Sequence, residues 1–510
     1  MPGRHSTAQW PAAVAIWVGV SAFALMAAWS LAAPVYSGPD EPAQVIRAVS
    51  VAHGEIVGQP FRGPKNANTR VVVPQAYAIG HHLVNCYKFH PEVPASCATP
   101  VSISSKPVRT VTYAGRYPPL YYLLVGWPSL IVTSSLGVHL IRLVGALLGA
   151  LMLGLAVYAV RRWSTARTLP LGVLVAATPM ALYLGGVVNP NGLEITAAIC
   201  LWTSGLVLFT ENRHDPPPGL LAIVTLSAAV LTSMRGLSPL WTVLILAIVI
   251  SLGSWRDTWR LLRTRRGVQI SAAVLLAVGV AAVAWILGDH ALDLIHAGLQ
   301  ISPGTSNGQV LSLSVRSAPS WIPQMVGIFG SLDTPAPSWA LDVWYGCALA
   351  VFALGMLGAT ARRRAALIGI VLVGFVLSVL VQYGQARRVG LVWEGRYLLP
   401  FAVGLVLVST ATSDRPSWGC PLWRALTPIL AIGVFAADAG SLFQLLRRYT
   451  VGATGPLDLR GPWRPPGGPW LLLAMAAVAS AAFAGGMVAA SRGPREAPLT
   501  TLGPSLDLGE

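Results

Sequence analysis

The sequence predicts an all-α, polytopic integral membrane protein with roughly twelve transmembrane helices and a long first outer loop that contains juxtamembrane helices. Three observations carry this expectation. Of the 510 residues, 54% are apolar and only 11% charged, whereas soluble domains carry about 25% charged residues. The apolar residues gather in runs of about 20, the length that crosses a bilayer core. Arginines collect beside alternate ends of those runs, the pattern of the positive-inside rule. The same composition excludes a cytosolic enzyme, a disordered chain and a secreted disulfide scaffold. The formal charge of +16 includes only three lysines, Lys65, Lys88 and Lys106. With most arginines beside apolar runs, the charge is a topology signal, and no nucleic-acid partner is expected.

Residues 1–34 form a cytoplasmic N-terminus, with Arg4 and His5, and a first span over 12–33. The run is long for a signal-peptide core and is read as an uncleaved anchor. Residues 35–136 form the first outer loop, polar from Tyr36 to Tyr117. Its end, Pro118 to Ile131, decides the topology. If it crossed the bilayer, the next span would deliver Arg161, Arg162 and Arg167 to the outside, against the positive-inside rule, so it is read as lying along the membrane or dipping in and returning. Residues 137–411 form the transmembrane core, with spans near 138–160, 169–188, 192–210, 219–234, 237–253, 268–288, 340–360, 365–383 and 397–411. Arg256, Arg260, Arg263, Arg265 and Arg266 form the strongest orientation signal, and Arg362 to Arg364 agree with it. Residues 412–510 add spans near 425–444 and 470–490 and a cytoplasmic tail. The expected location is a bacterial cytoplasmic (inner) membrane.

Ionisable residues in spans are expensive, so their depth is informative. Arg142, Glu194, Asp342 and Asp438 all fall toward the outer ends of their spans. The outer loops add Asp40, Glu41, Asp333, Arg387, Arg388, Glu394 and Arg396. Each one alone is explained by snorkelling or helix capping; their shared side points to chemistry at the outer leaflet. A secondary transporter keeps its sites near the midplane, whereas an enzyme acting on a lipid headgroup needs them at the interface.

Several motifs concentrate these groups. Gly38-Pro39-Asp40-Glu41-Pro42 places adjacent carboxylates just after the first span. The pair offers a general base, a metal ligand or both, and Asp40 equally suits the N-cap of a helix from Glu41 to Val51. Arg116-Tyr117-Pro118-Pro119-Leu120-Tyr121-Tyr122 is either an interfacial anchor or a headgroup contact. Asn189-Pro190-Asn191-Gly192 is explained by turn chemistry, with sugar or headgroup binding as a second reading. Phe329 to Thr334 contains Asp333, and Trp393-Glu394-Gly395-Arg396-Tyr397 contains the candidate phosphate clamp Arg396, whose planar fork suits a phosphate or a bridge to Glu394. Cys86 and Cys97 lie where a disulfide is permitted, though spacing does not establish one. Cys200, Cys347 and Cys420 read as packing residues. The sequence has no metal-binding Cys/His pattern and no phosphate-binding Gly-rich loop.

Taken in order, Pro39-Asp40-Glu41-Pro42, Tyr117 to Tyr122, Thr178-Pro179-Met180 with Asn189-Pro190-Asn191, Gly330 to Thr334 and Gly395-Arg396-Tyr397-Leu398-Leu399-Pro400 resemble a bacterial family of predicted membrane proteins of unknown function, over about Pro34 to Pro400. That family is similar to the type-C glycosyltransferases, which include protein mannosyltransferases and lipid A aminoarabinose transferase. Those enzymes are polytopic, take a sugar from a polyprenyl phosphate carrier and use an acidic residue of the first outer loop. The resemblance implies that Asp40 holds that place with Glu41 beside it, and that Tyr117 to Tyr122 is a juxtamembrane helix. Relatives often carry an aspartate in the next outer turn where Asn191 stands, and an amide is a poorer cation ligand and no base at neutral pH.

The expected function is therefore sugar transfer from a polyprenyl-phosphate carrier to an acceptor on the outer face. Asp40 and Glu41 are the candidate catalytic residues. Arg396, Arg387, Arg388, Tyr117, Asn191, Asp333 and Glu394 are the candidate substrate contacts, and a divalent cation is a candidate cofactor with no assigned ligands. The expected partners are the polyprenyl-phosphate sugar and the bilayer. The alternative function is a non-catalytic flippase or assembly subunit for a polyprenyl-linked envelope glycan.

Overall fold

A computed structural model describes residues 6–61, 67–292, 300–302, 304–411 and 421–492; Arg4, His5 and Cys420 lie outside them. The described chain is overwhelmingly helical, as the composition predicts. Among the described residues, eight helices are long and apolar enough to cross a membrane: Pro11–Ala32, Ser135–Trp163, Pro190–Glu211, Arg266–Gly288, Ser338–Gly358, Ala361–Val389, Pro421–Val451 and Pro469–Arg492. Ser238–Leu252 and Trp255–Thr264 add a ninth span if counted together, although the chain bends by 108° between them.

Every expected span falls on helix, but the count of twelve is not reached on length. The run near 169–188 is split into Leu169–Ala176 and Pro179–Gly185, because the proline forces Thr178 into an extended conformation. The run near 397–411 is split into Gly395–Ala402 and Gly404–Thr410. Pro218–Thr232 and Ser238–Leu252 have 15 residues each, about 22 Å of helix against a hydrocarbon core of about 30 Å.

The segment after Pro118 forms a seven-residue helix, Leu120–Gly126, and a 3-10 turn, Trp127–Leu130. Neither reaches across a bilayer. Tyr121 and Tyr122 are buried, while Leu123, Trp127 and Ile131 are exposed, the division of an interfacial helix.

The first helix packs against Ser135–Trp163 and Pro469–Arg492. A Cβ on Gly154 would stand 3.3 Å from the Ala15 carbonyl oxygen and 3.6 Å from the Gly19 Cα, so small residues set this close approach. Pro190–Glu211 lies at the centre of the bundle and Arg266–Gly288 at its rim.

Above the ends of these helices the first loop folds on itself. Gln59–Pro60, Thr69–Pro74 and Pro107–Thr112 form an antiparallel sheet in that order, with Thr69 opposite Thr112 and Val71 opposite Thr110. Val71 and Val73 face inward, and the Thr112 hydroxyl donates to the Ala43 carbonyl at 2.9 Å, tying the sheet to the Glu41–Ala52 helix. Cys86 and Cys97 are joined in a disulfide.

Candidate functional site

The helix that begins at Glu41 carries Pro42 in its first turn, which suits a proline that has no N–H to give. Asp40 precedes it with φ 61° and ψ 3°, a left-handed backbone, one of the strained conformations that cluster at functional sites. Its carbonyl accepts from the Ala43 and Gln44 amides, yet its carboxylate makes no capping hydrogen bond. Oδ1 accepts from the Tyr113 hydroxyl at 2.8 Å and Oδ2 from Arg396 Nη2 at 2.7 Å. Of the two sequence readings of Asp40, the carboxylate serves the site and only the backbone serves the helix start.

Arg396 stands in the first turn of Gly395–Ala402. A Cβ at Gly395 would lie 2.0 Å from the Trp321 carbonyl oxygen, so only glycine lets the chain enter here. The Gly395 amide also donates to Gln324 Oε1 at 2.7 Å. The Arg396 side chain is only 3% exposed. Its Nε lies 2.6 Å from Glu394 Oε2, Nη2 also reaches the Tyr397 hydroxyl at 3.2 Å, and Nη1 is buried with no hydrogen-bond partner among the described residues. Asp40 is 35% exposed, so the pair opens toward solvent on the aspartate side.

A second guanidinium completes the cluster. Arg235 occupies the turn between Pro218–Thr232 and Ser238–Leu252, with Cζ 4.5 Å from the Tyr397 ring centroid and 5.8 Å from that of Tyr117. Nη1 donates to Asn191 Oδ1 at 2.7 Å. The Asn191 amide in turn donates to Glu194 Oε2 at 2.7 Å, and Ser238 donates to Glu194 Oε1 at 2.6 Å. Asn191 thus aims Arg235.

The electrostatics follow from this crowding. Burial pushes the Asp40 carboxyl up, but the Arg396 guanidinium, the Tyr113 hydroxyl, Arg235 and Lys88 outweigh it and hold Asp40 below its ordinary value. Burial pushes Glu394 up, Arg396 opposes it, Asp40 adds to the rise, and Glu394 ends above its ordinary value. Burial and the neighbouring Asp40 raise Tyr113 well above the usual phenol range, so it remains a donor. Burial, with Lys88 and His82, lowers His81 against the opposing pull of Asp40.

The structure thus brings Asp40, Arg396, Glu394, Tyr117 and Asn191 into one cluster and places the other candidates elsewhere. Glu41 forms a buried bidentate pair with Arg142, through Nε at 2.7 Å and Nη2 at 2.6 Å, and accepts from the Gly38 and Val188 amides at 3.0 and 2.8 Å. Neither side chain is exposed. Its oxygens are saturated by these four contacts, which leaves none for the base or metal-ligand role that the sequence offers it. Asp333 accepts from the Phe89 amide at 3.0 Å and lies 3.7 Å from Arg448; it ties the disulfide-bonded lobe to the end of Pro421–Val451. Arg387 donates to the Thr305 carbonyl and Asn307 Oδ1, and Arg388 is exposed beside it.

The donor set does not suit a divalent cation. Asp40 and Glu394 both face Arg396, the Asn191 carbonyl oxygen is taken by Arg235, and no group of three or more His, Cys, Asp or Glu that could hold a metal ion occurs among the described residues.

Sequence reasoning missed Arg235, Tyr113 and the partner of Glu41. Arg235 had a signal: an arginine alone in a short turn between two apolar runs, on the side where the positive-inside rule places few. Tyr113 had none, since the strand pairing of Pro107–Thr112 delivers it.

Among solved structures, ArnT from Cupriavidus metallidurans in the apo state is similar at 16% identity and a TM-score of 0.37, over 74% of this chain and 65% of that one. The chain therefore spans slightly less than two thirds of that protein's length. No curated protein matches the chain. The model of a family described as predicted membrane protein (DUF2142) matches residues 23–405, so the sequence resemblance is met, and the chain belongs to that family.

Proposed function

We propose that the protein transfers a sugar from a polyprenyl-phosphate carrier to an acceptor hydroxyl at the membrane surface where Asp40 lies. The observation that carries this reading is the Asp40–Arg396 contact at 2.7 Å across 356 residues of chain, with a buried Arg396 Nη1 that has no hydrogen-bond partner among the described residues. A buried guanidinium that withholds a donor from the protein suits an anionic ligand.

The chemistry divides between the two sides of the pair. The acceptor oxygen forms a bond to the anomeric carbon while the bond from that carbon to the phosphate oxygen breaks, and the electron pair leaves with the phosphate. Asp40 takes the hydroxyl proton. Arg396 and Arg235 neutralise the departing phosphate. In the resting protein Arg396 keeps Asp40 a weak base. A phosphate competing for the guanidinium loosens that hold and raises the basicity of Asp40, coupling donor arrival to base activation. Tyr117 and Tyr397 form the walls that keep Arg235 in place.

Purified Asp40→Asn protein, given a polyprenyl-phosphate sugar and membrane-extract acceptors, tests the assignment. Loss of sugar transfer with carrier lipid still bound supports it. Unchanged glycan products would falsify the enzymatic reading and favour a protein that moves or holds the glycolipid.

A further inference from the structure

The arginine-rich segment that serves as a topology signal in the sequence has a shape that topology alone does not require. After Ser238–Leu252 the chain turns by 108° and forms a separate helix, Trp255–Thr264. Ser254 caps it through Asp257, and Leu261 is its buried residue. Trp255 and Trp259 lie one turn apart and are 67% and 45% exposed. Arg263 stacks over the Trp259 ring, with Cζ 4.7 Å from the centroid.

The charges on this helix are only partly answered by the protein. Asp257 has Arg213 at 3.6 Å and Arg260 at 4.0 Å, and Asp215 has Arg265 at 3.1 Å. Arg256, Arg263 and Arg266 are exposed and have no ion pair among the described residues. The helix that follows, Arg266–Gly288, presents Ile270, Leu276 and Val280 outward at the rim of the bundle, so its surroundings are acyl chains. The Trp255–Thr264 helix therefore lies at the boundary between those chains and water, with exposed indoles beside a surplus of guanidinium groups. That is the composition of an interfacial helix that engages anionic lipid.

We propose that Trp255–Thr264 is a binding surface for anionic phospholipid headgroups, with Arg256, Arg263 and Arg266 pairing with the lipid phosphates and Trp255 and Trp259 set between headgroups. The surface is separate from the Asp40 cluster and does not depend on the reading of that cluster.

Full-length protein in neutral detergent, titrated with phosphatidylglycerol or phosphatidylcholine and followed by the rise in Tm, tests the proposal. Phosphatidylglycerol binds at least about tenfold more tightly than phosphatidylcholine, and the preference collapses near 1 M salt, where the Debye length is about 3 Å. Replacing all three residues, Arg256→Gln, Arg263→Gln and Arg266→Gln, weakens phosphatidylglycerol binding on the order of a hundredfold, at about fivefold per arginine. Trp255→Ser with Trp259→Ser weakens both lipids alike. Equal affinity for the two lipids overturns the proposal, as does a preference that survives the triple substitution. Polyglutamate raising Tm as much as phosphatidylglycerol overturns it in favour of an acidic protein partner. If the triple variant does not fold, the salt titration of the unaltered protein decides.

Discussion

Asp40 and Glu41 are neighbours in the chain, each meets an arginine far along it, and the two pairs are built in opposite ways. The Glu41–Arg142 pair is closed. Its two side chains are wholly buried, its two contacts run in parallel, and Arg142 also donates to the carbonyls of Ser30, Ala33 and Pro34. It stitches the end of the first helix to Ser135–Trp163. The Asp40–Arg396 pair is open, with a single contact, a partly exposed carboxylate and a guanidinium whose Nη1 has no hydrogen-bond partner among the described residues. The difference separates architecture from chemistry, since a saturated pair has no capacity left for a ligand and an unsaturated one does.

The sharpest way to break this comparison is to cut the closed pair. Arg142→Gln leaves a buried carboxylate and three carbonyls poorly answered, and removing one partner of such a pair costs about 3–5 kcal/mol. The folded yield and Tm in detergent are expected to fall steeply. Asp40→Asn is expected to do the reverse, lowering transfer by about 10²–10⁴-fold with Tm nearly unchanged, because Arg396 keeps Glu394 and asparagine tolerates a left-handed backbone. If both variants unfold the protein equally, the distinction between the pairs is lost.

Arg396→Gln follows in size. Loss of a positioned charge at the departing phosphate is expected to lower kcat/KM by about 10²–10³-fold. The pH profile separates this from a folding defect. In the proposed transfer Asp40 acts as the deprotonated carboxylate, and in the intact protein it is held below the ordinary carboxylate range of about 4, so the acid limb of kcat/KM is expected below that point. Without Arg396 the largest opposing charge is gone while burial remains, and the limb moves up. A limb that stays in place in the variant assigns the base to another group.

The sequence makes the open pair more legible than the closed one, and the reason is physical. Asp40 and Arg396 stand in outer loops beside apolar runs, and the short motifs Pro39-Asp40-Glu41-Pro42 and Gly395-Arg396-Tyr397 mark them. Depth marks Arg142, but the identity of its partner depends on which side of the Asp40–Glu41 step each carboxylate faces, and the left-handed backbone of Asp40 decides that. Arg387 and Asp333 show the limit of arguing from a shared end of the bundle. They occupy the same end as Asp40 in sequence terms, yet hydrogen bonds within the loops hold them in other contacts. The helix count fails for a related reason. Hydropathy registers the apolar runs at 169–188 and 397–411, while the breaks at Thr178 and Val403 come from proline and local packing.

The smallest effect tests the residue that links the open pair to its surroundings. Asn191→Asp replaces the amide oxygen that receives Arg235 Nη1 with a charged one and brings a second carboxylate beside Glu194. The new ion pair draws Arg235 away from the carrier phosphate, so kcat/KM for the donor is expected to fall by less than about tenfold, with part of the loss in kcat because Arg235 answers the charge that develops on the departing phosphate. The same variant bears on the cation that the sequence resemblance suggested. An aspartate at this turn adds a hard oxygen ligand, and activity that becomes sensitive to a chelator only in the variant identifies Asn191 as the position at which this chain differs from a metal-using design. Activity that is equally insensitive in both leaves the two guanidinium groups as the whole of the phosphate-stabilising apparatus, and makes the geometry Asn191 imposes on Arg235 its role at the site.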